Sequence, residues 1–278
     1  MSEESSSVAA RTHIPFPPFM VLLPRVGLLM LVQALHPVES AKASKASLNL
    51  GDATLLVLDG ATDDGMKLAR QLLAKEGTAV NDVVELDDDS KGTPLAAAIH
   101  TTVTPNGENC MDLIHALLAH KDTDVNAALT APDGSTWPPL VLAMKAVAAG
   151  VPTGPEIAKV LLAHDKIAVN AMTTSGEEGT TAMASLHMAL AAAARGAAGG
   201  VELMQALLAR SEIDADVAMV APDGGKTTPL AKLAAMLEGA PNDANLHRAI
   251  TLLHGKAKPL DDAEKQKLVE SVVRKDEL

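Results

Sequence analysis

Paired leucines recur along this chain at a nearly fixed interval. They stand at Leu72-Leu73, Leu117-Leu118, Leu161-Leu162, Leu207-Leu208 and Leu252-Leu253, in steps of 45, 44, 46 and 45 residues. Seven residues after the second leucine of the first four pairs come Val80-Asn81, Val125-Asn126, Val169-Asn170 and Ala215-Asp216. A third marker is the apolar residue that opens each copy: Leu95, Leu140, Leu186 and Leu230, spaced 45, 46 and 44. Three markers in one register define a repeat. A period of this size implies stacked supersecondary units, each too small to bury its own apolar face.

One copy reads as two helices and an extended connection. Gly92-Thr93-Pro94-Leu95 opens the first helix, with Thr93 as N-cap and Pro94 at the first helical position, and residues 96–103 continue it. Thr104-Pro105-Asn106-Gly107 breaks it. Residues 111–120 form the second helix, in which Leu113, Ile114, Leu117 and Leu118 fall at helical spacing. Residues 122–126 leave the helix, and a polar stretch leads to the next opener. Ala131-Pro132-Asp133-Gly134 and Ala221-Pro222-Asp223-Gly224 are identical turn segments lying 90 residues, or two periods, apart.

This order of parts resembles the ankyrin repeat. The resemblance is carried by Gly92-Thr93-Pro94-Leu95, Thr228-Pro229-Leu230, Ser185-Leu186-His187-Met188-Ala189, the leucine pairs and the Val-Asn pairs after them. It implies an all-α, ankyrin-like helical-hairpin solenoid with extended repeats over residues 47–254, each unit some 12 residues longer than the usual ~33. The extra length falls mainly between the opener and the leucine pair, so longer helices or longer loops are expected there. Residues 255–274 are expected to supply a charged capping helix, and 47–80 a degraded first copy. A helical-hairpin array of HEAT or armadillo type has a period in this range but lacks the Thr-Pro-Leu and Val-Asn markers.

The ends suggest an address. Lys275, Asp276, Glu277 and Leu278 spell the KDEL signal read by the retrieval receptor of the endoplasmic reticulum. Residues 26–35 form an apolar run after Arg25, of secretory-signal length and too short to span a bilayer. Residues 1–43 are therefore expected to be a signal peptide or N-terminal targeting segment, with cleavage near Ser40, Ala43 or Ala46. An uncleaved anchor is the alternative; no stable membrane insertion is expected. The expected localisation is the lumen of the endoplasmic reticulum.

Composition narrows the function. The apolar residues are mostly Ala, Leu, Val and Met, with two Phe, one Trp and no Tyr, so the core is built from close helix contacts without aromatic anchors. A formal charge of −12 argues against nucleic acid, because phosphates would be repelled. The single cysteine, Cys110, excludes an intrachain disulfide and reads as a small buried apolar residue. No phosphate loop, nucleophile elbow, zinc-protease helix or paired-cysteine signature is present, so no catalytic residue, cofactor or metal ligand is assigned, and no enzyme is expected.

The expected function is a protein–protein interaction scaffold binding through the concave and hairpin face. In ankyrin-like proteins partners contact hairpin tips and first helices, which here points to Trp137, His100, Lys145, Asp133 and Asp223. Tryptophan is a favoured interface anchor, although packing on the neighbouring hairpin is an equal alternative. Asp87-Asp88-Asp89, Asp133, Glu177-Glu178 and Asp223 would form an acidic hairpin edge suited to a basic partner. The same carboxylates leave a low-affinity calcium-buffering lumenal protein as a rival, and a cytosolic ankyrin adaptor is another. His120, His164 and His254 end second helices and are read as favourable partners for the helix C-terminus rather than as a metal row. Gly196 and Gly199-Gly200 are read as a flexible inter-helix loop.

Overall fold

The computed structural model describes residues 48–104, 110–174, 182–221 and 225–256. The targeting segment, most of the capping segment, the terminal tetrapeptide, Glu177-Glu178 and Asp223 lie outside these residues.

The described residues form five helix pairs. The first pair is α1 (Leu50–Leu58) with α2 (Thr62–Leu73). It is followed by α3 (Pro94–Val103) with α4 (Met111–Leu118) and by α5 (Pro139–Ala148) with α6 (Gly154–Leu162). The last two are α7 (Ser185–Ala194) with α8 (Gly200–Ala209), and α9 (Pro229–Gly239) with α10 (Ala244–His254). Local chemistry starts several of them. Thr93 and Thr228 sit in extended backbone and accept the amides of Ala96 and Ala231, with proline at the next position. Asn49 and Asp52 close a reciprocal capping box on α1, and Asp243 caps α10.

Each pair packs on the next. The first helices contact one another in sequence, α1 on α3, α3 on α5, α5 on α7 and α7 on α9; among the second helices α2 meets α4, α6 meets α8 and α8 meets α10. The sequence markers are the residues that bury. Leu95, Leu140, Leu186 and Leu230 are in the core, as are Leu117, Leu161, Leu207, Val80, Val125 and Val169. Burying each leucine contributes about 1.5–3 kcal/mol.

The asparagine of the Val-Asn marker has a different task. Asn81 Nδ2 donates to the Asp122 carbonyl at 2.8 Å, while its Oδ1 accepts the Asp124 amide at 2.8 Å. Asn126 does the same to Lys166 O at 2.8 Å and Ala168 N at 2.7 Å. Asn170 repeats it on Glu212 O at 2.7 Å and Asp214 N at 2.8 Å. Each amide therefore clamps the equivalent loop one period ahead, using both its donor and its acceptor. Arg195 and Arg210 add links to the preceding copy, reaching the carbonyls of Ala148 and Leu162 at 3.2 Å each.

The fold is mostly helical, but the all-α expectation is corrected by short strands between the pairs. Four are β1 (Val84–Glu85), β2 (Lys91–Gly92), β3 (Leu129–Thr130) and β4 (Thr136–Trp137), which form one antiparallel sheet in the order β1-β2-β3-β4. Strands β5 (Met219–Val220) and β6 (Lys226–Thr227) pair antiparallel. Single bridges, Thr136 to Thr174, Met172 to Ala184 and Ala182 to Val220, carry the pairing across the intervening copy. Once helix packing sets neighbouring connections side by side, their backbone groups satisfy one another. Asp89 (φ 62°) and Gly134 (φ 78°) make the equivalent left-handed turn in the first two hairpins.

The reading of Gly199-Gly200 as a flexible loop is also corrected. Gly199 takes φ 75° just before α8, and Gly200 is the first residue of that helix. A Cβ on Gly200 would stand 2.7 Å from the Ala192 carbonyl carbon and 2.8 Å from the Ala193 amide nitrogen. Gly154 meets α5 in the same way, 2.9 Å from the Val147 nitrogen, and Gly65 meets α1, 2.8 Å from the Val57 nitrogen. All three stand seven residues before the first leucine of a pair, where the second helix crosses the backbone of the first. Cys110 holds that place in the α3–α4 pair, fully buried, its amide donating to Thr102 Oγ1 at 3.1 Å.

Candidate functional site

The hairpins and the exposed strip of the first helices hold the described candidates. The strip is narrow. In α5 every residue from Pro139 to Met144 is buried and Lys145 alone is exposed before Ala146 and Val147 bury again. In α3 only His100, Thr101 and Val103 are half-buried, and in α7 only Ala191. A first helix packs on its own partner and on a first helix to each side, which leaves one ridge uncovered.

His100 and Lys145 stand five residues after their opener leucines and occupy that ridge, but each turns to its own hairpin. His100 Nε2 lies 2.9 Å from Asp88 Oδ2. Asp88 Oδ1 accepts the Ser90 amide at 3.0 Å. Partial burial pushes the Asp88 carboxyl up, yet the His100 hydrogen bond, the Ser90 amide and hydroxyl and the charge of His100 together hold it below the usual aspartate value. Lys145 instead places Nζ 4.0 Å from the centroid of the Trp137 ring, a cation–π contact.

The second hairpin is bonded from tip to ring. Trp137 Nε1 donates to Ser135 Oγ at 3.0 Å, and the Ser135 amide donates to Asp133 Oδ1 at 2.8 Å. Hydrogen bonds from the Ser135 side chain and backbone hold the Asp133 carboxyl below its ordinary value. Asp133 is exposed, Ser135 is buried and Trp137 is half-buried, packed against the core. Of the named candidates, the structure thus joins Asp133, Trp137 and Lys145, and leaves His100 with Asp88 on the neighbouring hairpin. Ser135 was not anticipated. Its signal is the recurrence of Asp-x-Ser one period apart, at Asp88-Asp89-Ser90 and Asp133-Gly134-Ser135.

Two of the histidines at the ends of second helices take a hydrogen-bonding role besides the expected one at the helix C-terminus. His120 Nδ1 accepts the Asp122 amide at 3.3 Å, and His164 Nδ1 accepts the Lys166 amide at 3.2 Å. Each ring is an acceptor for the loop behind its helix, which assigns the proton to Nε2 in the neutral form. His187 is a different case: it is buried, its Nδ1 accepts the Ala184 amide at 3.2 Å, and Nε2 makes no hydrogen bond. Burial holds its pKa at about 4; the nearby Val217 backbone opposes the shift but is too poorly placed to close a bond.

Among the described residues no group of three or more His, Cys, Asp or Glu side chains is placed to hold a metal ion. No helix among them is long and apolar enough to cross a membrane. An open hollow of about 350 Å³ lies among Lys121, Thr123, Asn126 and Lys166, on the loops that the Asn126 clamp joins. The family models, the curated proteins and the solved structures contain no match to this chain.

Proposed function

We propose that this chain is a protein-binding scaffold, an ankyrin-like solenoid with extended repeats that engages a partner through its hairpins and the adjoining concave ridge. One observation carries the reading: consecutive helix pairs are locked in register by the asparagine clamps, so their hairpins stand side by side and are bridged into a ribbon. A periodic array of this kind offers many equivalent positions on one surface, and side chains there are free to differ without disturbing the core. Asp133 and Lys145 are such side chains, and Trp137 stands between them, half-buried against the core. The terminal Lys275, Asp276, Glu277 and Leu278, with the apolar run 26–35, support a lumenal address in the endoplasmic reticulum.

The test uses the full chain, tagged internally after residue 47 and expressed in eukaryotic cells, with and without residues 275–278. Lumenal retention that becomes secretion on truncation is expected; a cytosolic location unchanged by truncation overturns the address. Proximity labelling by the same protein tests the binding reading. Partners lost on combining Asp88→Asn, Asp133→Asn and Trp137→Ala are expected, and an identical partner set in that variant overturns binding through the hairpins.

A further inference from the structure

Trp137 is the only tryptophan in the chain, and its position is otherwise filled by small or flexible residues. Three residues before the opener leucine stand Gly92, Trp137, Met183 and Thr227. At Gly92 a Cβ would lie 2.8 Å from Leu129 Cδ1, so the first hairpin has no room for a large ring there. On the second hairpin the ring is packed against the core and has the Lys145 ammonium over one face.

Two features of a cation receptor are therefore fixed together. The indole presents a face that already holds a cation at 4.0 Å. Its N–H is tied through Ser135 to Asp133, an exposed carboxylate at the tip of the same hairpin. The resident cation is one that an arginine can outcompete. Lys145 is exposed, its stem is flexible, and its ammonium is strongly hydrated, whereas a guanidinium is planar, more weakly hydrated and stacks on aromatic faces. The first hairpin adds Asp87, Asp88 and Asp89 nearby along the ribbon, and the chain as a whole carries −12, so the surrounding field favours an incoming cation.

We propose that Trp137, Asp133 and Lys145 form an exchange site for a basic protein segment. The arginine of an arginine-rich partner stacks on Trp137 in place of Lys145, and Asp133 supplies the counter-charge. Lys145 is then the built-in competitor that sets the affinity. The inference rests on the scaffold reading and specifies the chemistry of its partner.

Because Trp137 is the sole tryptophan, its emission reports this site alone. The full chain is titrated with a nona-arginine peptide and, at equal charge, a nona-lysine peptide. A saturable change in emission is expected with nona-arginine, with nona-lysine weaker by about 5-fold. Lys145→Ala vacates the ring and is expected to tighten nona-arginine binding by about 2- to 5-fold. Lys159→Ala makes the same change in net charge on the exposed side of α6 and is expected to leave the affinity unchanged. Asp133→Asn is expected to weaken binding about 3-fold or more. Trp137→Phe, followed by calorimetry, keeps a ring in place and should retain weaker binding than the native chain. An emission that does not respond, or equal effects of Lys145→Ala and Lys159→Ala, overturns the exchange site. If either occurs while proximity labelling still depends on the hairpin residues, the scaffold stands and only its basic partner is lost.

Discussion

Replacing Asn126 with alanine tests whether the clamp couples neighbouring copies. The substitution removes the bonds to Lys166 O at 2.8 Å and Ala168 N at 2.7 Å. Each such bond contributes about 0.5–1.5 kcal/mol net. Lys166 and Ala168 are exposed, so water can replace the lost partner and the lower half of that range applies. The expected loss is about 1–2 kcal/mol, or roughly 3–6 °C in Tm for a domain of this size. Asn126→Asp separates the two bonds. A carboxylate still accepts the Ala168 amide but faces the Lys166 carbonyl with no donor, so its loss should be at least half that of alanine. Urea unfolding followed by circular dichroism measures both, and hydrogen exchange at Ala168 locates the effect. The bond joins copies rather than atoms within one copy, so the alanine variant should also unfold less cooperatively, with a lower m-value. Asn81→Ala loosens Asp124, which also accepts the Asn126 amide, so its effect should couple to that of Asn126→Ala, whereas Asn81→Ala and Asn170→Ala share no partner and should add within about 0.5 kcal/mol. A loss below ~0.3 kcal/mol with an unchanged m-value would refute the clamp as a coupling device.

Two further outcomes follow from the core. Gly200→Ala sets a Cβ 2.7 Å from the Ala192 backbone and is expected to cost about 1–3 kcal/mol by thermal unfolding, although alanine is the better helix former; an unchanged or raised Tm would show that the α7–α8 crossing has slack. His187 is held at about 4 against an ordinary 6.5, so the unfolded chain takes up its proton first. Stability is complete above about pH 6.5 and falls as pH drops toward 4, by roughly 3 kcal/mol from this residue. His187→Gln should flatten that window, and equal slopes in the two proteins between pH 4 and 6.5 would sink the assignment.

The helical part of the fold is legible because its markers are buried. A leucine that must face the core in every copy recurs with the period, and so does the valine before the clamp. The clamp itself is not legible in one copy, since Asn126 and its partners are 40 and 42 residues apart in sequence. The strands escape because two residues are too short to show alternation, and the bridges depend on helix packing to bring them together. Gly200 was misread because glycine beside alanine looks like slack. Its fixed place seven residues before a leucine was the better signal. In the candidate site, Trp137 and Lys145 were both singled out, yet their contact spans a strand-to-helix junction and has no periodic signature. Asp88 and His100 meet across the equivalent junction of the preceding copy, 12 residues apart.

The repeat supplies an internal comparison between copies of one chain. Positions that keep their identity, Leu95 with Leu140, Leu186 and Leu230, or Asn81 with Asn126 and Asn170, are those whose side chains are consumed by the core or by the clamp. Positions that change from copy to copy under no packing demand are free to serve a partner. The ridge position runs His100, Lys145, Ala191, Ala235; the strand position before the opener runs Gly92, Trp137, Met183, Thr227, with Gly92 held small by Leu129. Both departures are largest in the second hairpin, where the only tryptophan and an exposed lysine meet. The fourth copy departs at the clamp itself. Asp216 carries a carboxylate where Asn81, Asn126 and Asn170 carry an amide, while its backbone amide bonds Asp214 Oδ1 at 3.0 Å just as that of Asn126 bonds Asp124 Oδ1 at 2.9 Å. A carboxylate keeps the acceptor half of the clamp and gives up only the donor half, so the substitution changes the chemistry of the grip and does not abolish it.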